Sequence, residues 1–347
     1  MRLARLLGVI LVAGVISVLV ALGRNQGPRP LRVCTWSGYF PDSAVSGFSH
    51  TSGIPVEISY FSSNEELLAK LRLGASGYDI ILPSDYMVER MRHLELLQPL
   101  DASKLTNLHH LDEYYSNQPY DPGLHYSVPF VQGITGIAIN TRRVKLPERE
   151  ISWDILFHSP RPKHTSLLDD MREVFAAVLK TQGRPPNSST QEDLATAKAA
   201  IQQIKPRVAL FTSEPLPLLL KGELEIAHIF STQAVQAALV DPAIKFFIPK
   251  EGSTVWTDNL SIPRSSDRTE DAHAFINYFL DPEHALALVM ENHLQTPNKT
   301  ARLHLPATER DNPDVYPSRA TLARLFFLGD IGDAMTLMGR LWTEVKS

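Results

Sequence analysis

The sequence predicts an α/β protein built on a mainly parallel sheet with helices on both faces. Strand-period and helix-period stretches alternate from residue 31 onward, and the helices carry their own start and stop signals. LRVCTW (31–36) reads as a strand, PDSAVSGFSHTSG (41–53) as a helix ending at glycine, and IPVEISYF (54–61) as a second strand. SSNEELLAKLRLG (62–74) follows as a helix in which Ser63 and Glu66 make a capping box and Gly74 is the stop. YDIILPS (78–84) completes a βαβαβ unit as a buried strand.

In such sheets ligands lie beyond the carboxyl ends of the strands. Trp36, Ser37 and Tyr39 follow the first strand, and Ser84, Asp85 and Tyr86 follow the third. A single aromatic there is more often a lid over the core. Two polar-aromatic clusters at equivalent strand ends point to a site.

The strand GITGIAIN (133–140) and the loop-rich PEREISWDILFHSPRPKH (147–164) introduce a second unit. Its elements are a helix over about 170–181, the linker GRPPNSSTQ (183–191), and a long helix through EDLATAKAAIQQIKP (192–206). The strand RVALF (207–211), a helix near 214–222 and the strand EIAHIF (225–230) complete it. From STVWTDNLSIP (253–263) the chain returns to the first unit, with helical DAHAFINYFLDPEHALALVMEN (271–292), and an amphipathic helix at DAMTLMGRLWTEV (333–345) ends it. No internal repeat or low-complexity tract interrupts the pattern.

At 347 residues the chain has room for one large or two medium domains. A net charge of -4, with no block of like charges, offers nothing to a phosphate backbone, so nucleic acid is not expected as a partner. Arg2 and Arg5 precede an uncharged run from Leu6 to Gly23. Residues 1–23 therefore read as a signal peptide, cleaved near Ala21 and Gly23, or as a retained N-terminal anchor; residues 24–30 are a linker. Either way the chain beyond is exported. The lone Cys34 excludes an intrachain disulfide and reads as a small buried hydrophobe.

DDMREVF (169–175) sets Asp170 and Glu173 three apart at a helix start, on one face near the positive end of the dipole. First-turn acids are common for that reason alone. As an acid/base pair they lack a companion nucleophile, and there is no G-x-S-x-G, HExxH or Cys/His signature. An enzyme is not expected. His109 and His110, with Asp112, Tyr114 and Tyr115 behind them, come closest to a metal cluster, but adjacent side chains point to different sides. No metal or cofactor is expected.

The remaining constellation joins rings at Trp36, Tyr39, Tyr86, Phe230 and Trp256 to carboxylates at Asp170, Glu173 and Asp258. Aromatic faces attract cations by about 0.5–2 kcal/mol each. The set suits a flexible organic cation with an apolar middle and charged ends, such as an alkyl polyamine, whose amines stay protonated at neutral pH.

The stretches TWSGYFP, YDIILPSDYMVERM, YSVPFVQGITGIAIN, LLDDMREVF, PKEGSTVWTDNLSIP and QTPNKTAR occur in the order found in one family. Over about 31–335 the chain resembles the periplasmic spermidine/putrescine-binding proteins of bacterial ABC importers. The resemblance implies a two-lobe (type II) periplasmic-binding-protein fold, with the ligand enclosed by hinge closure. It implies lobe one over 31–135 plus 257–303, lobe two over 139–253 plus 307–347, and crossings near 134–140, 254–260 and 302–308. It places the amine site on Trp36, Ser37, Tyr39, Ser84, Tyr86, Asp170, Glu173, Ser213, Trp256 and Asp258, with Phe230 where a tryptophan is usual. Gln132, Leu294 and Leu328 also depart from the family's tryptophan, tyrosine and glutamine, which leaves the ligand's length open. The implied partner is the membrane permease of an ABC importer, and the protein a periplasmic monomer. Alternatives are a sensor subunit docking on a membrane receptor, or a binder of another solute, such as a metal at Tyr114 and Tyr115 or an amino-acid-like compound.

Overall fold

The computed structural model describes residues 29–73, 77–145 and 151–347. The export segment over 1–23, most of the linker after it, the Gly74 stop and the loop at 147–150 lie outside the described residues. The amino-terminal βαβαβ unit forms as expected. Strands β1 (Leu31–Thr35), β2 (Val56–Tyr60) and β3 (Ile80–Ile81) run parallel, with helices α1 (Asp42–Ser52) and α2 (Asn64–Arg72) between them and α3 (Asp85–His93) after them. The capping box is half formed. Ser63 Oγ accepts from Glu66 N at 3.2 Å, but the Glu66 carboxylate turns back to Ser62 N at 2.8 Å, one residue earlier than the motif's reciprocal bond.

Strand β4 (Ser127–Asn140) is fourteen residues long, six more than the apolar run suggests. Pro129 conceals its first half in the sequence. The register shifts between Pro129 and Val131, so the missing N–H falls at an irregularity where proline is tolerated. Beyond it come α4 (Asp154–Phe157), β5 (Thr165–Leu167), α5 (Met171–Thr181), α6 (Gln191–Ile204), β6 (Leu210–Phe211), α7 (Leu216–Lys221), β7 (Ile226–Phe230), α8 (Ser231–Val240) and β8 (Ile244–Phe247). The chain then runs through β9 (Val255–Ser261), α9 (Thr269–Leu280), α10 (Pro282–Asn292), α11 (Lys299–Leu303), α12 (Ala307–Arg310), α13 (Arg319–Leu322) and α14 (Ala334–Lys346). The helix expected over 271–292 is two helices because Pro282 cannot continue α9, and Asp281 caps α10 by accepting from Glu283 N at 2.9 Å.

The strand order is β2-β1-β3-β9-β4-β7-β5-β6, with β8 also on β4. Parallel pairing is confined to the two outer groups. At the centre β4 and β9 run antiparallel to each other and to their neighbours, so the sheet is mixed and not mainly parallel. The reason lies in chain path: β4 carries the chain out of the first unit and β9 carries it back. The first half of β4, Ser127–Ile134, pairs with β9, and the second half, from Thr135, pairs with β7 and β8.

Each side of that crossing has its own core. Leu31, Val33, Phe48, Ile80, Phe275 and Phe279 belong to one, and Trp153, Val174, Phe175, Leu194 and Ile226 to the other. Helix α14 packs on the second, with Trp342 edge-on to Phe211. Past α11 the chain stays against the segment before it: Arg302 stacks on the Tyr316 ring at 3.8 Å, and Thr296 N donates to Tyr316 Oη at 3.4 Å. A further cluster around Phe61, Leu67, Tyr86 and Met87 takes in Ala176 and Leu328 from across the cleft.

Candidate ligand-binding site

Between the two cores lies a cavity of about 640 Å³. Its lining includes all eleven residues expected from the sequence: Trp36, Ser37, Tyr39, Ser84, Tyr86, Asp170, Glu173, Ser213, Phe230, Trp256 and Asp258. Six carboxylates face it, those of Glu66, Asp85, Asp170, Glu173, Glu214 and Asp258, and among the described lining residues there is no lysine, arginine or histidine.

The lobe-one end is built on β9. Trp256 and Asp258 are two apart on a strand, so both side chains leave the same face. Trp256 lies directly on Gly133 of the neighbouring strand: a Cβ there would sit 2.1 Å from the ring, so only glycine admits it. Phe230 meets Trp256 edge-on at 5.6 Å between centroids. Asp258 accepts hydrogen bonds from the Tyr39 hydroxyl and, at 2.6 Å, from Ser84 Oγ. Asn64 fixes Ser84 in turn through its backbone N–H and its hydroxyl. Burial pushes the Asp258 carboxyl up to about 6, with the Ser84 and Tyr39 hydroxyls pulling the other way.

The lobe-two end is the start of α5. Asp170 is the N-cap, its Oδ1 accepting from Arg172 N at 2.8 Å and Glu173 N at 3.1 Å. The ordinary helix-start role and the cavity-lining role therefore fall on one residue. Glu173 is buried and accepts from Thr254 Oγ1 at 2.6 Å, beside the crossing into β9. Burial first, then the neighbouring Asp170 charge, push the Glu173 carboxyl up to about 8, and burial raises Asp170 as well. Arg172 does not reach the cavity. Its buried guanidinium donates to Gly329 O at 2.8 Å and Asn187 Oδ1 at 3.2 Å and lies over the Tyr86 ring.

Sequence reasoning named Asp85 on its loop but left it out of the site. It is 1% exposed, accepts from Tyr86 N at 2.7 Å and Thr257 N at 3.2 Å, and burial drives its carboxyl well above the usual carboxylate range. Glu66, Glu214 and Gln233 were also missed, and an isolated acid or amide near a helix end carries no signal of its own. Of the three departures, Leu294 and Leu328 line the cavity and Gln132 does not. Gln132 pairs with Gln295, its Oε1 taking Gln295 Nε2 at 2.6 Å and the Tyr115 hydroxyl at 2.8 Å. Neither Tyr114 nor Tyr115 faces the cavity. His109 and His110 do not diverge as adjacent side chains were expected to: on a single 3₁₀ turn their rings lie 3.9 Å apart, and His110 Nδ1 is hydrogen-bonded to Thr300 Oγ1. Cys34 is buried, within the cluster that holds Phe61 and Met87.

Residues 44–315 match the model of the bacterial extracellular solute-binding protein family. The chain belongs to that family. Among relatives of this solute-binding protein, spermidine/putrescine-binding periplasmic protein 1 of Haemophilus influenzae is 34% identical over 316 residues, covering 90% of this chain and 88% of its own. The spermidine/putrescine-binding periplasmic protein of Salmonella typhimurium is 31% identical over 97% of both chains. A solved structure described as a putative spermidine/putrescine ABC transporter from Listeria monocytogenes superposes with a TM-score of 0.88 at 30% identity, over 91% of this chain and 98% of the other. This solute-binding protein therefore has the two-lobe fold of its family, whose members bind and carry solutes and are not enzymes.

Proposed function

We propose that this solute-binding protein captures a polyamine in the periplasm and delivers it, as a monomer, to the membrane permease of an ABC importer. The observation that carries the reading is the cavity's composition: six carboxylates, no basic side chain among the described lining residues, and aromatic walls. Asp258 receives one ammonium and the Asp170 and Glu173 pair another. Trp36, Tyr39, Tyr86, Phe230 and Trp256 pack on the alkyl chain, and Ser37, Ser84 and Ser213 supply hydroxyls. A charge-assisted hydrogen bond to each ammonium contributes about 1.5–3 kcal/mol, partly offset by desolvation. The names of the relatives, at about a third identity over nearly the whole chain, support the same ligand class.

The lobes are proposed as 31–135 with 257–303 and 139–253 with 307–347, closing about the crossings at Thr135 and Thr254. Calorimetry with putrescine, cadaverine, spermidine and spermine tests the reading: at least one binds with micromolar or tighter affinity. Absence of heat from all four at high micromolar concentration would sink the polyamine assignment and leave the fold standing.

A further inference from the structure

Not every carboxylate of the cavity is available to a ligand. Glu66 is already paired with Lys70 at 2.8 Å. Both oxygens of Asp85 are taken by backbone N–H groups, and burial pushes its carboxyl up. Glu214 is exposed and accepts from Gln233 Nε2 at 3.2 Å, so solvent screens what it offers. That leaves Asp258 at one end and the Asp170 and Glu173 pair at the other. Among the described lining residues, the carboxylates free to meet a ligand therefore stand at two places.

Part of the buried wall is carbon. Leu294 and Leu328, 5% and 6% exposed, line the cavity. Leu328 packs in the cluster with Phe61 and Tyr86, and Leu294 in the one with Tyr39 and Trp256. Of the amides, Gln132 and Gln295 bond each other outside the cavity, while Gln233, whose Nε2 donates to Ser213 O and Glu214, keeps an open Oε1 on the Glu214 side, away from the leucine clusters. A third ammonium against these leucines would be buried with donors and no acceptor, which is strongly unfavourable.

Resting on the polyamine reading, we infer that the ligand is a dication, an unbranched α,ω-diamine, and that Leu294 and Leu328 exclude the third ammonium of longer polyamines. Wild-type protein then binds putrescine or cadaverine at least about tenfold tighter than spermidine, the scale on which a mismatched pocket discriminates. Leu328→Gln and Leu294→Gln, made separately and checked by thermal melting, each raise the spermidine-to-diamine affinity ratio by about tenfold.

Competitive calorimetry with the three amines reads both quantities. Wild-type protein that binds spermidine as tightly as the diamines overturns the inference, and so does a ratio that neither substitution moves. Tight spermidine binding abolished by Glu214→Gln overturns it too, by placing the third ammonium at the mouth. Binding of no amine at all is a different result and removes the polyamine reading itself.

Discussion

At the lobe-one end of the cavity a single carboxylate, Asp258, is held by two side-chain hydroxyls, whereas at the lobe-two end two carboxylates crowd one helix N-terminus. Hydroxyls from Tyr39 and Ser84 orient Asp258 while leaving it ionised over most of the neutral range. Burial raises both Asp170 and Glu173, and the Asp170 charge adds to the rise at Glu173, so Glu173 holds its proton until a cation arrives. One end is a preset anion and the other a proton-loaded one. The comparison teaches that a cavity can be rich in acids without holding the full repulsion of their charges when empty.

Removal of the preset anion is expected to have the largest effect. Asp258→Asn keeps the shape and should cost about 2–5 kcal/mol of diamine binding, because a bound ammonium loses the carboxylate free to pair with it at that end. Glu173→Gln should cost less, since Asp170 remains. Calorimetry on both variants tests the ranking, and an equal or larger loss in Glu173→Gln would break the asymmetry.

The second effect is proton-linked. A bound cation favours the ionised carboxylates, so binding releases protons from Asp258, near 6, and Glu173, near 8. The association constant should rise from about pH 5 to about pH 8, by up to about tenfold per unit for each proton released, and flatten above. For the unliganded protein the sign reverses. The folded-state carboxyl of Glu173 titrates above its ordinary 4.5, so its contribution to stability is complete below that value and lost as pH rises through about 8. The melting temperature should fall more steeply between pH 5 and pH 8 in the wild type than in Glu173→Gln. A melt that rises over this window in the wild type relative to the variant contradicts the assignment.

A smaller loss is expected from Gly133→Ala. The new methyl collides with Trp256 and should cost about 1–3 kcal/mol of stability, with weaker ligand binding because the ring is displaced. Gly136→Ala crowds Phe246 in the same way, 2.5 Å from its ring, on the lobe-two side of the strand and away from the cavity. It should lower the melting temperature comparably and leave affinity unchanged. Equal affinity losses in both would show that the glycines matter only for the strand.

The site was more legible in the sequence than the sheet that carries it. Ser84 and Tyr86 are marked by following a strand end, and Trp256 and Asp258 by the stretch PKEGSTVWTDNLSIP that the chain shares with the family. Asp85 was not legible as a cavity acid because its identity does not reveal that both oxygens meet backbone N–H groups, one from β9, more than 170 residues later in the chain. The pairing of Gln132 with Gln295 was hidden for the same reason: two residues far apart in the chain became one hydrogen-bonded unit only when β4 was laid beside the segment after α10. The antiparallel centre of the sheet escaped because period-2 patterning shows that a strand exists and not which way its neighbour runs. The three-residue β5 and the four-residue β8 were too short to show a period.

The smallest effect separates neighbours. Asp169 and Asp170 are identical in chemistry and adjacent in sequence, but Asp169 points to solvent and pairs with Lys346 of α14 at 2.7 Å, both groups over a third exposed. An exposed pair of this kind contributes about 0–1 kcal/mol. Asp169→Asn should therefore leave diamine affinity unchanged and shift stability by no more than about 0.5 kcal/mol. Asp170→Asn is the matched test: asparagine caps a helix as well as aspartate, so α5 survives while the negative charge is lost. Affinity should drop in that variant with little change in melting temperature. If instead the two asparagine variants bind alike, Asp170 is a helix cap and no more, and the lobe-two end rests on Glu173 alone.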